Sequence, residues 1–397
     1  MGGCLSTPGT LIGRESSRAK CIGQSPRRTG FVSVQQGHTL AAKDYKQPQL
    51  RTGYEYVIGQ RTSDMFCYAA KQDGEIISKT DSGVIVKYKD GTTKGVSIGR
   101  QYGRAEGSTY PHDIVSDMEV GQKFKKGKVI AYNTGFFEQD ILDPTQVLLK
   151  TSLLANTVMY ESPQTHEDSS AISRELSGRL TAKTTKVKSY TVNFGNNILN
   201  AVKPGAPVSP RDVLMIIEDE ITSNTGAFDE ASLATLAKLS NMAPKASYLG
   251  TVDHIEVFYH GDKADMSATL KQLADRSDRV KGDQARSTGK PVITGAVNED
   301  YRVAGVPLAL DKAEIRFYIT VENQQGVGDK NVFANQLKTV VGEVMDYDMH
   351  TESGEKIEAV FGFRSAAARI VSSPVIMGTT IGLLQVVAKK MVEAYNT

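Results

Sequence analysis

Hydrophobic and polar positions alternate in short runs along most of this chain, with a period of two rather than the long stripes of a helical protein. Tyr54 to Ile58, Gly74 to Lys79, Gly83 to Tyr88 and Gly95 to Ile98 read as strands, and Asp73-Gly74 and Asp90-Gly91 mark hairpin turns among them. Glu119 to Tyr132 and Ala201 to Ile217 share a cadence in which a lysine-bearing glycine turn leads into an apolar strand, as in small hammerhead or barrel-sandwich hairpins. Leu148 to Leu154 and Thr157 to Tyr160 have the composition of buried strands, and a helical tail runs to Leu180. Glu230 to Ser240 and Met266 to Arg279 have the apolar spacing of amphipathic helices, Gly250 to Tyr259 and Ala313 to Val321 that of strands, and Ile381 to Tyr395 that of a terminal helix. Lys281 to Lys290 is polar and basic, which predicts a loop or tip. The pattern as a whole predicts a β-rich α+β fold.

At 397 residues the chain can bury several cores in two or three units. Its 47 basic and 45 acidic residues nearly cancel, so any contact with nucleic acid must come from local clusters. One such cluster is Gly13 to Arg28, read as a loop with a short helix, where Arg18, Lys20, Arg27 and Arg28 are candidate phosphate contacts or a solvated surface. Cys4, Cys21 and Cys67 are too scattered for a zinc site or a disulfide framework, and a cytosolic compartment is expected. No secretory signal core and no uninterrupted apolar run of the ~20 residues needed for a span is evident, so no membrane partner is expected. Met1 to Ser6 matches the short N-myristoylation pattern, with Cys4 available for a second acyl chain.

Candidate chemistry concentrates between Gly326 and Pro374. Lys330 follows a Gly-Asp turn, Lys338 opens the alternating run to Val344, and Arg369 follows the small residues Ser365 to Ala368. Long cationic arms at strand ends and turns are candidate phosphate ligands, although most Lys and Arg are solvated surface charges and pattern alone favours that reading. Upstream, Glu167 and Asp168 either cap a short helix or meet a cation or nucleotide. HExxH, GxxxxGK[ST] and GxSxG are absent, so nothing suggests a self-contained active site.

The order of these pieces carries a resemblance. VGDKNVFANQLKTVVGEV resembles the bacterial multisubunit RNA polymerase β pattern of Gly-Asp-Lys, a short loop and a lysine that opens a strand, with the two lysines at the family's spacing of eight residues. GEKIEAVFGFRSAAARIV is similar to the family's segment ending Pro-Ser-Arg-Met, which puts Arg369 on its arginine. HEDSSAIS resembles Phe-Glu-Asp-Ser-Ile, with Glu167 and Asp168 on the acidic pair. SSRAKCIGQSPRR is similar to Asn-Arg-Ala-Leu-Met-Gly with its Gln-Arg continuation, allowing a one-residue indel before Gly23, and matches Arg18. The chain departs from the pattern around Arg28, at Phe333-Ala334-Asn335, at Thr339 and at Gly362-Phe363-Arg364-Ser365, as a remote relative would.

The resemblance implies the C-terminal half of a β-like subunit, most like the split-subunit polymerases of giant bacteriophages, with a double-psi β-barrel of RNA polymerase β type. The expected organisation is a basic segment near the active site at 1–53, hairpins and the first part of the barrel at 54–204, and a flap- or wall-like α/β insertion at 205–310. The second part of the barrel, with its phosphate-binding Lys and Arg, follows at 311–380, and a helix at 381–397. Lys330 and Lys338 would approach the RNA 3′ end and nucleotide phosphates. Arg18 and Arg369 would contact the triphosphate, with Arg27 and Arg28 as weaker RNA contacts. Glu167 and Asp168 would lie near the second magnesium, with Asp168 as its ligand. Nucleotidyl transfer would use Mg2+ held mainly by a β′-like partner, because NADFDGD occurs nowhere here, so the chain alone would be inactive. Expected partners are a β N-terminal-half-like subunit, β′-like subunits, template DNA, nascent RNA, NTPs and a promoter-specificity subunit, in the cytoplasm of an infected bacterium or in the virion. The competing expectation is a non-enzymatic scaffold or carrier built on hammerhead hairpins, although no Met-Lys-Met-like hairpin tip is present.

Overall fold

The computed structural model describes residues 5–15, 39–41, 53–105, 108–150, 153–218, 243–333, 337–352, 354–369 and 372–396. The described chain is a β-rich α+β fold whose strands form a closed barrel, a long mixed-length sheet and a smaller four-stranded sheet.

Six strands close the barrel: β1 (Leu5–Glu15), β2 (Leu153–Met159), β3 (Ser169–Ser173), β4 (Lys330–Phe333), β5 (Leu337–Met345) and β6 (Ala359–Phe361). Their order around the barrel is β1-β2-β6-β3-β5-β4, returning to β1. The pairs β2/β6 and β3/β5 are parallel and the other four antiparallel. Advancing each strand number by three gives back the same ring read in reverse, with the two parallel pairs exchanged. The barrel is therefore an internally repeated structure whose halves interlock. β5 shows why these residues form strands: Leu337, Thr339 and Val341 are buried while Lys338, Val340 and Gly342 are exposed. The barrel core gathers Met159, Ile172, Phe333, Leu337, Val341 and Phe361, with the Phe333 and Phe361 rings 4.7 Å apart.

The long sheet runs Pro207–Val208, Gly250–His260, Lys312–Asn323, Thr181–Asn193, Ser108–Val115, Val129–Asn133, Cys67–Ala69, with Thr39–Ala41 and Gly99–Ala105 pairing off this path. Gly250–His260 pairs along its length with Lys312–Asn323, so the 205–310 segment shares one continuous sheet with the flanking chain. Its helix, Ala268–Ser287, buries Leu270, Ala274 and Ala285, and Gly83 and Gly95 of the four-stranded sheet lie against the backbone at Ser287 and Thr288.

Local pattern misleads at several points. Tyr54–Gly59 is a helix, not a strand, because Ile58 packs into the cluster of Cys67, Phe137 and Val147. The expected loop at Lys281 is helix through Ser287, because the Lys281 stem crosses the Phe258 ring, its Nζ 3.6 Å from the ring centroid and 3.3 Å from the Val257 carbonyl. Residues 5–15 form a barrel strand, whereas Ser16 to Arg28 and Glu230 to Ser240 lie outside the described residues. The terminal helix, Ser373–Asn396, is longer than expected, and Val375–Asn396 has the length and mean hydropathy, 1.4, that a membrane span requires. It also carries Lys389, Lys390 and Glu393, and Ile381 and Met377 pack on Leu154 of the barrel.

Candidate functional site

Two pairs of the singled-out side chains converge on one residue of β5, Val340. On one side, the register of β4 against β5 sets Lys330 opposite Val340 and Val332 opposite Lys338. Residues opposite each other share a face, as do Lys338 and Val340 two positions apart, so Lys330 and Lys338 are diagonal neighbours on the outward face. Their Cα atoms are accordingly about 7–8 Å apart, and both side chains are exposed. The turn before them is tied down. Asp329 accepts from the Gly326 amide at 3.0 Å, and the Gly328 and Val341 amides donate hydrogen bonds of 2.8 Å to the Val341 and Asp329 carbonyls.

On the other side, Val340 lies beside Ser169 of β3, and its amide donates to the Asp168 carbonyl at 2.8 Å. The backbone at Asp168–Ser169 is thus about two strand spacings, ~10 Å, from the backbone of Lys330. Arg369 reaches it from beyond the helix Phe363–Ala368, donating from Nη1 to Asp168 Oδ1 at 2.9 Å and to the Ser365 carbonyl at 3.0 Å. The same helix clamps the preceding residue, since the Ser365 hydroxyl donates to the Glu167 carbonyl. Glu167 has φ +52°, the left-handed region that a side chain rarely adopts, and such strain persists where surrounding contacts enforce it.

The helix-cap reading of Glu167 and Asp168 fails on this geometry. The strand β3 follows them, and the helix beyond it, Arg174–Arg179, is capped by Ser173, whose hydroxyl accepts from the Leu176 amide at 3.1 Å. Lys330, Lys338, Glu167, Asp168 and Arg369 therefore share one region of the barrel, whereas Arg18, Arg27 and Arg28 lie outside the described residues. Ser365 was not legible as a site residue. It sits in a run of small residues, and only the fold reveals that its hydroxyl meets Glu167.

Among the described residues no group of three or more His, Cys, Asp or Glu side chains is arranged to hold a metal ion. Exposed carboxylates at 167 and 168 beside three cations can instead contribute one or two oxygens to a cation whose other ligands come from a phosphate or another chain. No family model matches this chain, and no curated protein matches it significantly.

Proposed function

We propose that the chain is the C-terminal half of a β-like subunit of a multisubunit DNA-directed RNA polymerase, of the split-subunit kind found in giant bacteriophages. The observation that carries this reading is the convergence at Val340, where the Lys330–Lys338 diagonal and the Asp168–Arg369 pair adjoin although their motifs are far apart in sequence. Four motifs selected by family order alone need not meet in space, and the three that fall on described residues do. The closed barrel of two interlocked halves supports the double-psi reading, and the 205–310 segment corresponds by position to the flap or wall region.

In this reading the chain's part is electrostatic. Lys330 and Lys338 are mobile point charges for the RNA 3′ end and nucleotide phosphates, and Arg369 offers a planar fork to the triphosphate. Positive charge fixed where negative charge builds lowers the barrier without rearrangement during the reaction. Arg369 is already held by Asp168, so incoming phosphate oxygens compete for the same Nη1 and leave Asp168 free as they bind. Asp168, with Glu167, fits one share of a magnesium site completed by phosphate and by a β′-like partner. When bound, that magnesium neutralises triphosphate charge. The β N-terminal-half-like subunit, template DNA, nascent RNA and a promoter-specificity subunit complete the assembly, in the infected cell or the virion.

The decisive experiment is single-nucleotide addition by the reconstituted assembly carrying Arg369→Ala. Loss of one charge-assisted contact should slow addition by about ten- to a hundredfold. Arg369→Lys should recover only part of this, because it lacks the fork. Elongation at the normal rate with limiting nucleotide rules the reading out.

A further inference from the structure

The barrel interior contains a polar row that a hydrophobic core does not need. Gln325 (1% exposed), Asn331 (0%), Thr339 (3%) and Ser170 (0%) are all buried. The Gln325 amide donates to Asn331 Oδ1, Asn331 faces Thr339 across the β4–β5 register, and the Thr339 hydroxyl donates to the Ser170 hydroxyl at 2.8 Å. At its start, the Ser177 hydroxyl donates to the Gln325 carbonyl at 2.5 Å, joining the row to the helix Arg174–Arg179. The row is imperfectly satisfied, since Gln325 Oε1 and Asn331 Nδ2 are buried with no hydrogen-bond partner. An apolar interior of the same shape would avoid that desolvation cost.

Two strand members of the row are inward neighbours of site residues, and the third lies close to one in sequence. Asn331 follows Lys330, Thr339 follows Lys338, and Ser170 lies two residues after Asp168. Because side chains alternate, Asn331 and Thr339 facing in means Lys330 and Lys338 facing out. β4 has only four residues and three of them are buried, so apolar burial alone distinguishes its register weakly. A slip of one residue would turn Lys330 into the barrel, and a slip of two would draw Asn331 away from the amide of Gln325, whose backbone is held at Ser177 by hydrogen bonds in both directions. A buried polar residue that must find its counterpart specifies register at a cost in stability, as a single core Asn does in coiled coils.

We infer that Gln325, Asn331, Thr339 and Ser170 are positioning residues that fix the register of β4 on β5 and of β5 on β3, and so set the cationic arms beside Asp168. The inference about register stands on the barrel itself. Its consequence for nucleotide addition rests on the polymerase reading.

The test compares Thr339→Val and Gln325→Met/Asn331→Leu with Thr339→Ser in the full chain. Ordinary structural hydrogen bonds would make the apolar variants less stable. A register device predicts an unchanged or raised melting temperature, together with amide exchange at Val340 and Val341 faster by about tenfold or more, because these amides report the contacts to Asp168 and Asp329. Thr339→Ser should retain native exchange. Apolar variants with native exchange at both amides overturn the inference, as does a fall in melting temperature with exchange raised uniformly through the barrel. In the reconstituted assembly, the apolar variants should raise the KM for nucleotide more than they lower kcat. If Lys330→Ala and Arg369→Ala leave addition unchanged while exchange behaves as expected, the polymerase reading fails and the register device remains.

Discussion

Asp168 and Arg369 stand 201 residues apart in sequence and are joined by a 2.9 Å hydrogen bond between Oδ1 and Nη1, with the aspartate side chain 60% and the arginine side chain 30% exposed. An exposed pair of this kind contributes less than about 1 kcal/mol, so it can orient both groups and still yield to a better ligand. A double-mutant cycle with Asp168→Asn and Arg369→Gln, read by urea unfolding, should give a coupling below ~1 kcal/mol that fades at high salt. A coupling of about 3 kcal/mol or more would mark the pair as a fixed structural bridge and remove the proposed exchange with phosphate.

Lys330 is exposed at the start of β4, and its neutralisation should separate stability from function. Lys330→Gln should change unfolding free energy by no more than about 0.5 kcal/mol, as surface substitutions do. Nucleotide addition by the assembly should still fall about tenfold or more. Combined with Lys338→Gln, the loss should be smaller than the product of the single losses, because diagonal neighbours on one face would share phosphate contacts. Strictly multiplicative losses would show the two lysines serving separate ligands.

Of the barrel, β5 was the strand most legible in the sequence, because its period is clean. The alternating run that Lys338 opens, to Val344, foretells the strand, which extends one residue further at each end. Pairing across long stretches of sequence left no local mark, so nothing in the chain announced that 5–15 would lie between β2 and β4. Glu167 and Asp168 were ambiguous because acidic residues before a helical run are usually caps, and the strand between them and that helix is only five residues long. Asn331 and Thr339 did carry a signal, since polar residues at the inward positions of alternating strands need partners. Those partners, Gln325 and Ser170, could be named only from the fold.

His112 should make stability fall in mild acid. It is 3% exposed, packs edge-on to Phe66 and lies 2.8 Å from the Asn133 amide nitrogen through Nδ1, an arrangement that suits a neutral ring. Burial pushes its pKa down to about 4, with the Asp113 charge opposing and the Arg100 charge adding to the fall. The unfolded chain takes up this proton near pH 6.5 while the folded chain resists until about pH 4, so stability is full above ~6.5 and declines across that window. The decline should be of order 3 kcal/mol. Urea midpoints at pH 7, 5.5 and 4.5 should show it, and His112→Gln, which retains an acceptor for Asn133, should flatten this part of the profile. An equally steep profile in the variant would assign the acid sensitivity elsewhere.

Gly362 joins β6 to the helix that leads to Arg369, and a Cβ there would stand 2.3 Å from the Thr165 carbonyl oxygen. That oxygen cannot retreat easily. Thr165 is fully buried, and its hydroxyl donates to the Tyr160 carbonyl at 2.7 Å and accepts from the Ser162 amide at 2.8 Å. Gly362→Ala must therefore push the 362–369 segment away from 165–168, separating Ser365 from Glu167 and Arg369 from Asp168. Overpacking of this kind costs about 1–3 kcal/mol. Gly178→Ala is the matched control, because its Cβ would enter open space on a helix and should be neutral or stabilising by up to about 1 kcal/mol. In the assembly, Gly362→Ala should lower nucleotide addition toward the level of Arg369→Ala, although position 362 supplies no charge. If Gly362→Ala is as stable as Gly178→Ala and fully active, close approach at Gly362 is not what sets Arg369 beside Asp168.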